Sequence, residues 1–192
     1  VGESGIEGIH LGPTPEGRPF MEFQKHLLSL FKRGVILVVN SKNNIEDALE
    51  VIRNHPHMVL KEKHFAAMRI NWNDKVQNMK SLAEEINIGL DSLVFFDDDQ
   101  LNRDIVKKFL PEVAVVDLPK DPSLYVKTLI NLNFFDILSI TEEDKKKGAM
   151  FQEEKKRKEL SHRATNLTDY LRMLHITVRI EHAKKNIIPR IS

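Results

Sequence analysis

The 192-residue sequence predicts an α/β domain built on a mostly parallel sheet. Three observations carry that reading. Up to about residue 140, segments with helical spacing of apolar residues alternate with short apolar runs, the pattern of strand-helix-strand crossovers. The clearest runs, Val35-Ile-Leu-Val-Val39 and Ser92-Leu-Val-Phe-Phe96, are apolar on both faces, as strands covered by helices on either side must be. Polar clusters follow these runs, where the carboxyl ends of parallel strands form a ligand crevice.

The elements follow in order. Phe20 to Arg33 places Phe20, Phe23, Leu27, Leu28, Leu30 and Phe31 along a helical stripe, with Gly34 as the stop. Val35–Val39 is the first strand, and Asn40-Ser-Lys-Asn-Asn44 leads into a helix over Ile45–Asn54. Phe65–Ile70 is a weaker strand. Asp74–Ile88 is a helix with Val76, Met79, Leu82, Ala83 and Ile86 inward, closed by Gly89. Ser92–Phe96 is the next strand, followed by Asp97-Asp98-Asp99 and a helix over Leu101–Leu110. Val113–Val116 is a strand and Pro122–Leu132 the last helix of the core. Residues 1–140 form this core, and 141–165 a charged helical connector. In 166–192 a short helix to Leu174 and the alternating Ile176-Thr-Val-Arg-Ile180 read as the opening of a second domain.

Composition narrows the function classes. An apolar fraction of 41% with 30% charged residues is that of a globular chain, and no heptad or internal repeat persists. Without any Cys there is no disulfide framework, cysteine zinc cluster or thiol nucleophile. No apolar run approaches the ~18 residues of a membrane span, and no secretory signal opens the chain, so the expected location is cytoplasmic. The net charge of +1 divides unevenly: residues 1–140 hold 16 basic and 20 acidic groups, residues 141–192 hold 13 and 8. Basic and acidic groups interleave at helical spacing, which is a solvated face, and nucleic acid is not an expected partner.

Chemistry gathers at the expected strand ends. Ser41-Lys42-Asn43 follows the first strand, Asp97-Asp98-Asp99 follows the third, and Lys75 opens a helix. These offer a hydroxyl and amides for phosphate oxygens, a lysine for phosphoryl charge, and carboxylates for a hard divalent cation. Mg²⁺ takes one or two carboxylates with substrate phosphate and water, and phosphoryl transfer consists largely of positioning and charge neutralisation. Each part also has a structural reading: an Asp between strand and helix caps the helix, Ser41 sits in a turn, Lys75 lies on the surface. Three consecutive Asp repel one another unless a cation sits among them.

The ordered set Ser41, Lys75, Asp97-Asp98 resembles the haloacid dehalogenase superfamily, and more closely its FkbH-like branch, subfamily IIIC. The matching stretches are Gly5 to Pro13, Ser41-Lys-Asn43, His64-Phe-Ala-Ala67, Asn71-Trp72 with Lys75, and Leu90 to Asp98. Glu112-Val-Ala-Val115, and Phe135-Asp136 through Ala149-Met150, also fit. The resemblance implies a Rossmann-like core without a large cap, Mg²⁺, and a following acetyltransferase-like domain that residues 166–192 begin. It implies that Ser41 and Lys75 act on the phosphoryl group, with Lys42 and Asn43 as further phosphate contacts. Asp98 becomes the direct metal ligand, with Asp97 beside it holding the water shell. The implied activity is release of phosphate from a phosphorylated three-carbon acyl donor, resembling a bisphosphoglycerate, as the acyl group is loaded onto an acyl carrier protein. A simple phosphatase acting on a small metabolite or phosphoprotein, and a non-catalytic scaffold that retains the fold, are the alternatives.

One departure is large. The superfamily's nucleophile lies in an Asp-x-Asp-x-Thr motif on the first strand, and the sequence has no such motif. The chain alone is therefore expected to be inactive. In the resembling fold the strand order is 3-2-1-4-5, so the absent strand is the central one, to be supplied by an upstream segment or another chain. Val35–Val39 and Ser92–Phe96 should then flank an empty place, about 9–10 Å apart and not hydrogen-bonded to each other. Other residues are discounted. His55-Pro-His57 lacks a third ligand, and Asn166-Leu-Thr168 matches a glycosylation acceptor in a chain without a secretory signal. Trp72 is expected to pack rather than to meet a substrate, and the 145–163 helix is a solvated connector, with carrier docking as its functional alternative.

Overall fold

The computed structural model describes residues 9–135 and 167–174, together with 150, 153–154, 156–157 and 160. The chain divides into two units, Val1–Gln152 and Glu153–Ser192. In the second, the described residues include a helix over Leu167–Met173. The expected strand Ile176–Ile180 and most of the expected connector lie outside the described residues.

The first unit is a mixed α/β fold with short parallel sheets. Its order is α1 (Arg18–Lys32), β1 (Leu37–Ser41), α2 (Ile45–Asn54), β2 (Phe65–Ile70), α3 (Lys75–Ile86), β3 (Val94–Phe95), α4 (Gln100–Phe109), β4 (Ala114–Val115) and α5 (Tyr125–Ile130). Helix α1 starts with Pro19 in its first turn, where a missing N–H costs nothing. It is followed by Gly34 at φ 95°, a conformation that Gly adopts freely. Asp74 caps α3 by accepting from the Val76 amide, and the expected final helix begins instead as a 3₁₀ turn at Pro122–Leu124. The stop of α3 differs from expectation. Asn87, at φ 54°, takes the left-handed cap position in place of Gly89, since Asn tolerates that region and sits one residue after Ile86.

Among the described residues the strands form two separate parallel pairs, β1 with β2 and β3 with β4. In the first, Val38 stands opposite Ala67 and Ser41 opposite Ile70, after a register irregularity between Leu37 and Val38. In the second, Val94 faces Ala114 and Phe95 faces Val115. Strands β1 and β3 are not bonded to each other, as expected. A cavity of about 600 Å³ lies between them, lined by Val35–Asn40 on one flank and Ser92–Phe96 on the other. Helix α1 contributes Phe23, Leu27 and Leu30 to its wall, and α3 contributes Met79, Leu82 and Ile86. All five β1 residues are consequently half-buried, although the segment carries the sequence of a fully covered strand.

Helix α3 holds the pairs together. Its Val76 and Met79 join Phe95, Val106, Leu110 and Val113 in one apolar cluster. One turn on, Leu82 and Ile86 join Ala66 and Ala67 of β2, with Val38 of β1 packed against them. On α1, Phe23 meets Phe96 edge-on at 5.9 Å and Tyr125 at 5.8 Å.

Candidate functional site

The carboxyl ends of the strand pairs and the first turn of α3 converge on Lys75. Lysine at the first position of α3 follows directly from Asp74, which caps the helix and turns the chain inward. The side chain is buried: its Nζ donates to the carbonyl oxygen of Asn40 at 2.6 Å and pairs with Asp97 Oδ2 at 3.1 Å. Asn40 belongs to β1 and Asp97 follows β3, so one ammonium group bridges the ends of both pairs. Lysine and aspartate side chains are only 8% and 6% exposed, and a charge this deep persists because its partner is equally deep.

An amide network fixes the surroundings. Asn40 donates through Nδ2 to the Lys75 carbonyl at 2.9 Å, and its Oδ1 accepts from Asn78 at 3.2 Å. Asn78, three residues after Lys75 on the same helical face, also donates to Asn71 Oδ1 at 2.9 Å. The Asn71 amide donates to the Ser41 carbonyl at 3.0 Å, which ties the ends of β1 and β2 together. Ser41 closes β1. Lys42 reaches from the next position to Asn102 Oδ1 at 3.4 Å, and Asn43 Oδ1 accepts from the Asn44 amide at 2.9 Å.

The three aspartates differ in what they do. Asp99 is the N-cap of α4, accepting from the Leu101 amide at 2.8 Å, so the capping reading holds for this one. Asp97 is buried, its Oδ1 taking the Asp99 amide at 2.9 Å while Oδ2 faces Lys75. Asp98 is exposed. Arg103, buried on α4, donates from one nitrogen to the Asp97 carbonyl at 2.7 Å and the Asp98 carbonyl at 2.9 Å, which clamps the turn carrying both. Beside them, burial raises the Tyr125 phenol above its ordinary pKa, and the Asp98 carboxylate adds to the rise.

The structure thus brings Ser41, Lys42, Asn43, Lys75, Asp97 and Asp98 to one end of the fold. Sequence reasoning gave no site role to Asn40, Asn71, Asn78 or Arg103. The available signals were an amide at a strand end, another on the inner stripe of a helix, and an arginine four residues after an N-cap. Trp72 corrects an expectation: it is 69% exposed, and its indole Nε1 donates to Asn44 Oδ1 at 3.0 Å instead of packing in the core. His55 and His57 stack loosely at 5.9 Å, and among the described residues no group of three or more His, Cys, Asp or Glu is placed to hold a metal.

A solved structure aligns with 72% of this chain at a TM-score of 0.69 and 40% sequence identity. It is the N-terminal part of the protein BF1531 from Bacteroides fragilis, containing a phosphatase domain and complexed with Mg. The chain is similar to a phosphatase domain. It spans 37% of the length of that structure. No family model matches the sequence, and no curated protein matches it. The structural likeness agrees with the parallel α/β fold.

Proposed function

We propose that the chain carries the phosphate-binding and cation-binding side of a Mg²⁺-dependent phosphatase-type site of the haloacid dehalogenase kind. The observation that carries this reading is Lys75, buried at the junction of both strand pairs between the Asn40 carbonyl and the Asp97 carboxylate. The similarity to a phosphatase domain complexed with Mg supports it. The donor set suits that ion in part. Asp98 and Asp97 are hard oxygen donors on a turn clamped by Arg103, and Mg²⁺ needs only one or two carboxylates beside phosphate and water. When bound, the cation neutralises phosphate charge.

In this reading Asp98 holds the cation, and Asp97 holds both Lys75 and the cation's water shell. Lys75 presents its remaining N–H toward the phosphoryl group, and Ser41 with Lys42 and Asn43 encloses the phosphate oxygens. A carboxylate nucleophile and an acid to protonate the leaving group are still required. We assign them to a strand inserted between β1 and β3, supplied by an upstream segment or another chain. The cavity supports this assignment, because both facing edges are apolar strands that, among the described residues, have no strand paired on that side.

The finer reading, loading of a three-carbon acyl group onto an acyl carrier protein, rests on the motif resemblance alone. The test uses the natural protein, with whatever sequence flanks these 192 residues, and Mg²⁺. Phosphate release from acetyl phosphate or a bisphosphoglycerate that vanishes in Asp98→Asn supports the site. A mass gain on added carrier protein supports acyl loading, and release indifferent to carrier supports simple hydrolysis. No release from any acyl phosphate or phosphoester would leave a scaffold that retains the fold.

A further inference from the structure

Trp72 is the single tryptophan of the chain and, at 69% exposure, the most exposed large apolar side chain among the described residues. An indole left in water at a strand end is unusual, since aromatic rings contribute most when covered. Its place is specific. The preceding residue, Asn71, is bonded to the Ser41 carbonyl, and Lys75 lies three residues on. The ring therefore stands at the mouth of the site, on the β2–α3 turn.

The ring is also held. Asn44, across the mouth on the β1–α2 turn, accepts from the indole N–H at 3.0 Å. Its amide nitrogen donates to Asp47 Oδ2 at 3.2 Å, which fixes which way the amide faces. Asn44 is the N-cap of α2, a position where Asn ordinarily spends its side-chain oxygen on the first N–H groups of the helix. Here it makes no such bond and holds Trp72 instead. A local rule set aside to immobilise an exposed ring marks a functional constraint.

We propose that Trp72 is a specificity-determining residue that contacts the carbon skeleton of an organic phosphate while Lys75 and Ser41 hold its phosphoryl group. This rests on the phosphatase-type reading above. Inorganic phosphate has no carbon skeleton to set against the indole, whereas an ester or acyl phosphate has one. The residue acts in binding and takes no part in proton or phosphoryl transfer.

The experiment compares the natural protein with Trp72→Ala and Trp72→Phe, in Mg²⁺, using phenyl phosphate and glycerol phosphate as substrates and inorganic phosphate as competitor. Trp72→Ala should raise KM for the better substrate roughly fivefold with kcat little changed, the scale of one lost aromatic contact. The inhibition constant of inorganic phosphate should not move, and Trp72→Phe should recover most of the loss. An unchanged KM in Trp72→Ala, or an equal weakening of inorganic phosphate, overturns the assignment and leaves the phosphatase-type site standing. Absence of phosphate release in the unmodified protein overturns both. Because the ring is exposed, melting temperatures of the three proteins should agree, which excludes a folding defect as the cause.

Discussion

Replacing Lys75 by Met removes the charge that joins the two strand pairs and keeps most of the side-chain volume. Asp97 then stays behind at 6% exposure without its cation. Breaking a buried pair from one side costs about 3–5 kcal/mol, far more than the ~0–1 kcal/mol of an exposed pair. In a chain of this size that corresponds to a fall in Tm of roughly 6–20 °C. The second change, Asp97→Asn, removes the stranded charge and leaves an oxygen to accept the Asp99 amide. The double variant should therefore recover most of the stability, with about 1 kcal/mol outstanding for the Asn40 carbonyl that loses its lysine donor. Urea denaturation of the four proteins closes the cycle. Phosphate release by the natural protein should be lost in the single and double variants alike, because stability returns but the lysine does not. A cost below about 1 kcal/mol for Lys75→Met would refute the argument, since the ammonium would then be acting as a solvent-screened surface group.

Substitutions along the aspartate run should have distinct effects. Asp99→Ala should lower stability by about 1 kcal/mol through the α4 cap, seen in urea midpoints with or without Mg²⁺. Asp98→Asn should be nearly neutral without the cation and should abolish thermal stabilisation by Mg²⁺, which reaches about 2.7 kcal/mol at 100 times the dissociation constant. Leu82→Ala, at a position 1% exposed where α3 meets β2, should cost about 2–5 kcal/mol by calorimetry, whereas Leu101→Ala at 65% exposure should cost little. His64 is held below the usual imidazole pKa by burial, then by Lys63 and Lys32, and its Nδ1 accepts from the Lys61 amide at 2.9 Å. The unfolded chain therefore binds the proton more readily; this contribution is complete above about pH 6.5 and is lost as pH falls toward the folded value. Melting curves at pH 7.5 and 5.5 should show a larger acid-side loss for the unmodified protein than for His64→Gln, and equal losses would contradict the buried neutral ring.

The strands and helices were legible because periodicity reports burial. Ile45–Asn54 and Phe65–Ile70 fall where the apolar spacing puts them, and the parallel pairing follows from the helix between them. Chain ends of elements were less legible, since they turn on which residue accepts a left-handed backbone: Asn87 preceded Gly89 and took the position. At the site, Ser41, Lys75 and the aspartates stood out by their order after apolar runs. The amides of Asn40, Asn71 and Asn78 did not, because asparagine is frequent in turns and only the folded chain links these three through contacts of 3.3 Å or less. Arg103 drew no reading from the sequence; it is 8% exposed, folded back onto two carbonyls that have no sequence signature. Trp72 was misjudged because large aromatic rings usually go inside.

The open flank of β1 has a consequence for the life of the polypeptide before it is finished. Val35-Ile-Leu-Val-Val39 combines β-branched residues with no charge and no proline, the composition of a segment that stacks on copies of itself. It leaves the ribosome well ahead of Ser92–Phe96 and of the α3 residues that cover one side of it. A chain in that state offers a bare, sticky ribbon, and even after folding one margin of the ribbon has no paired strand among the described residues. Overproduced without something in that place, the protein is expected to collect in insoluble form, and a charged residue at Val39 would keep it dissolved while barring the place to any strand.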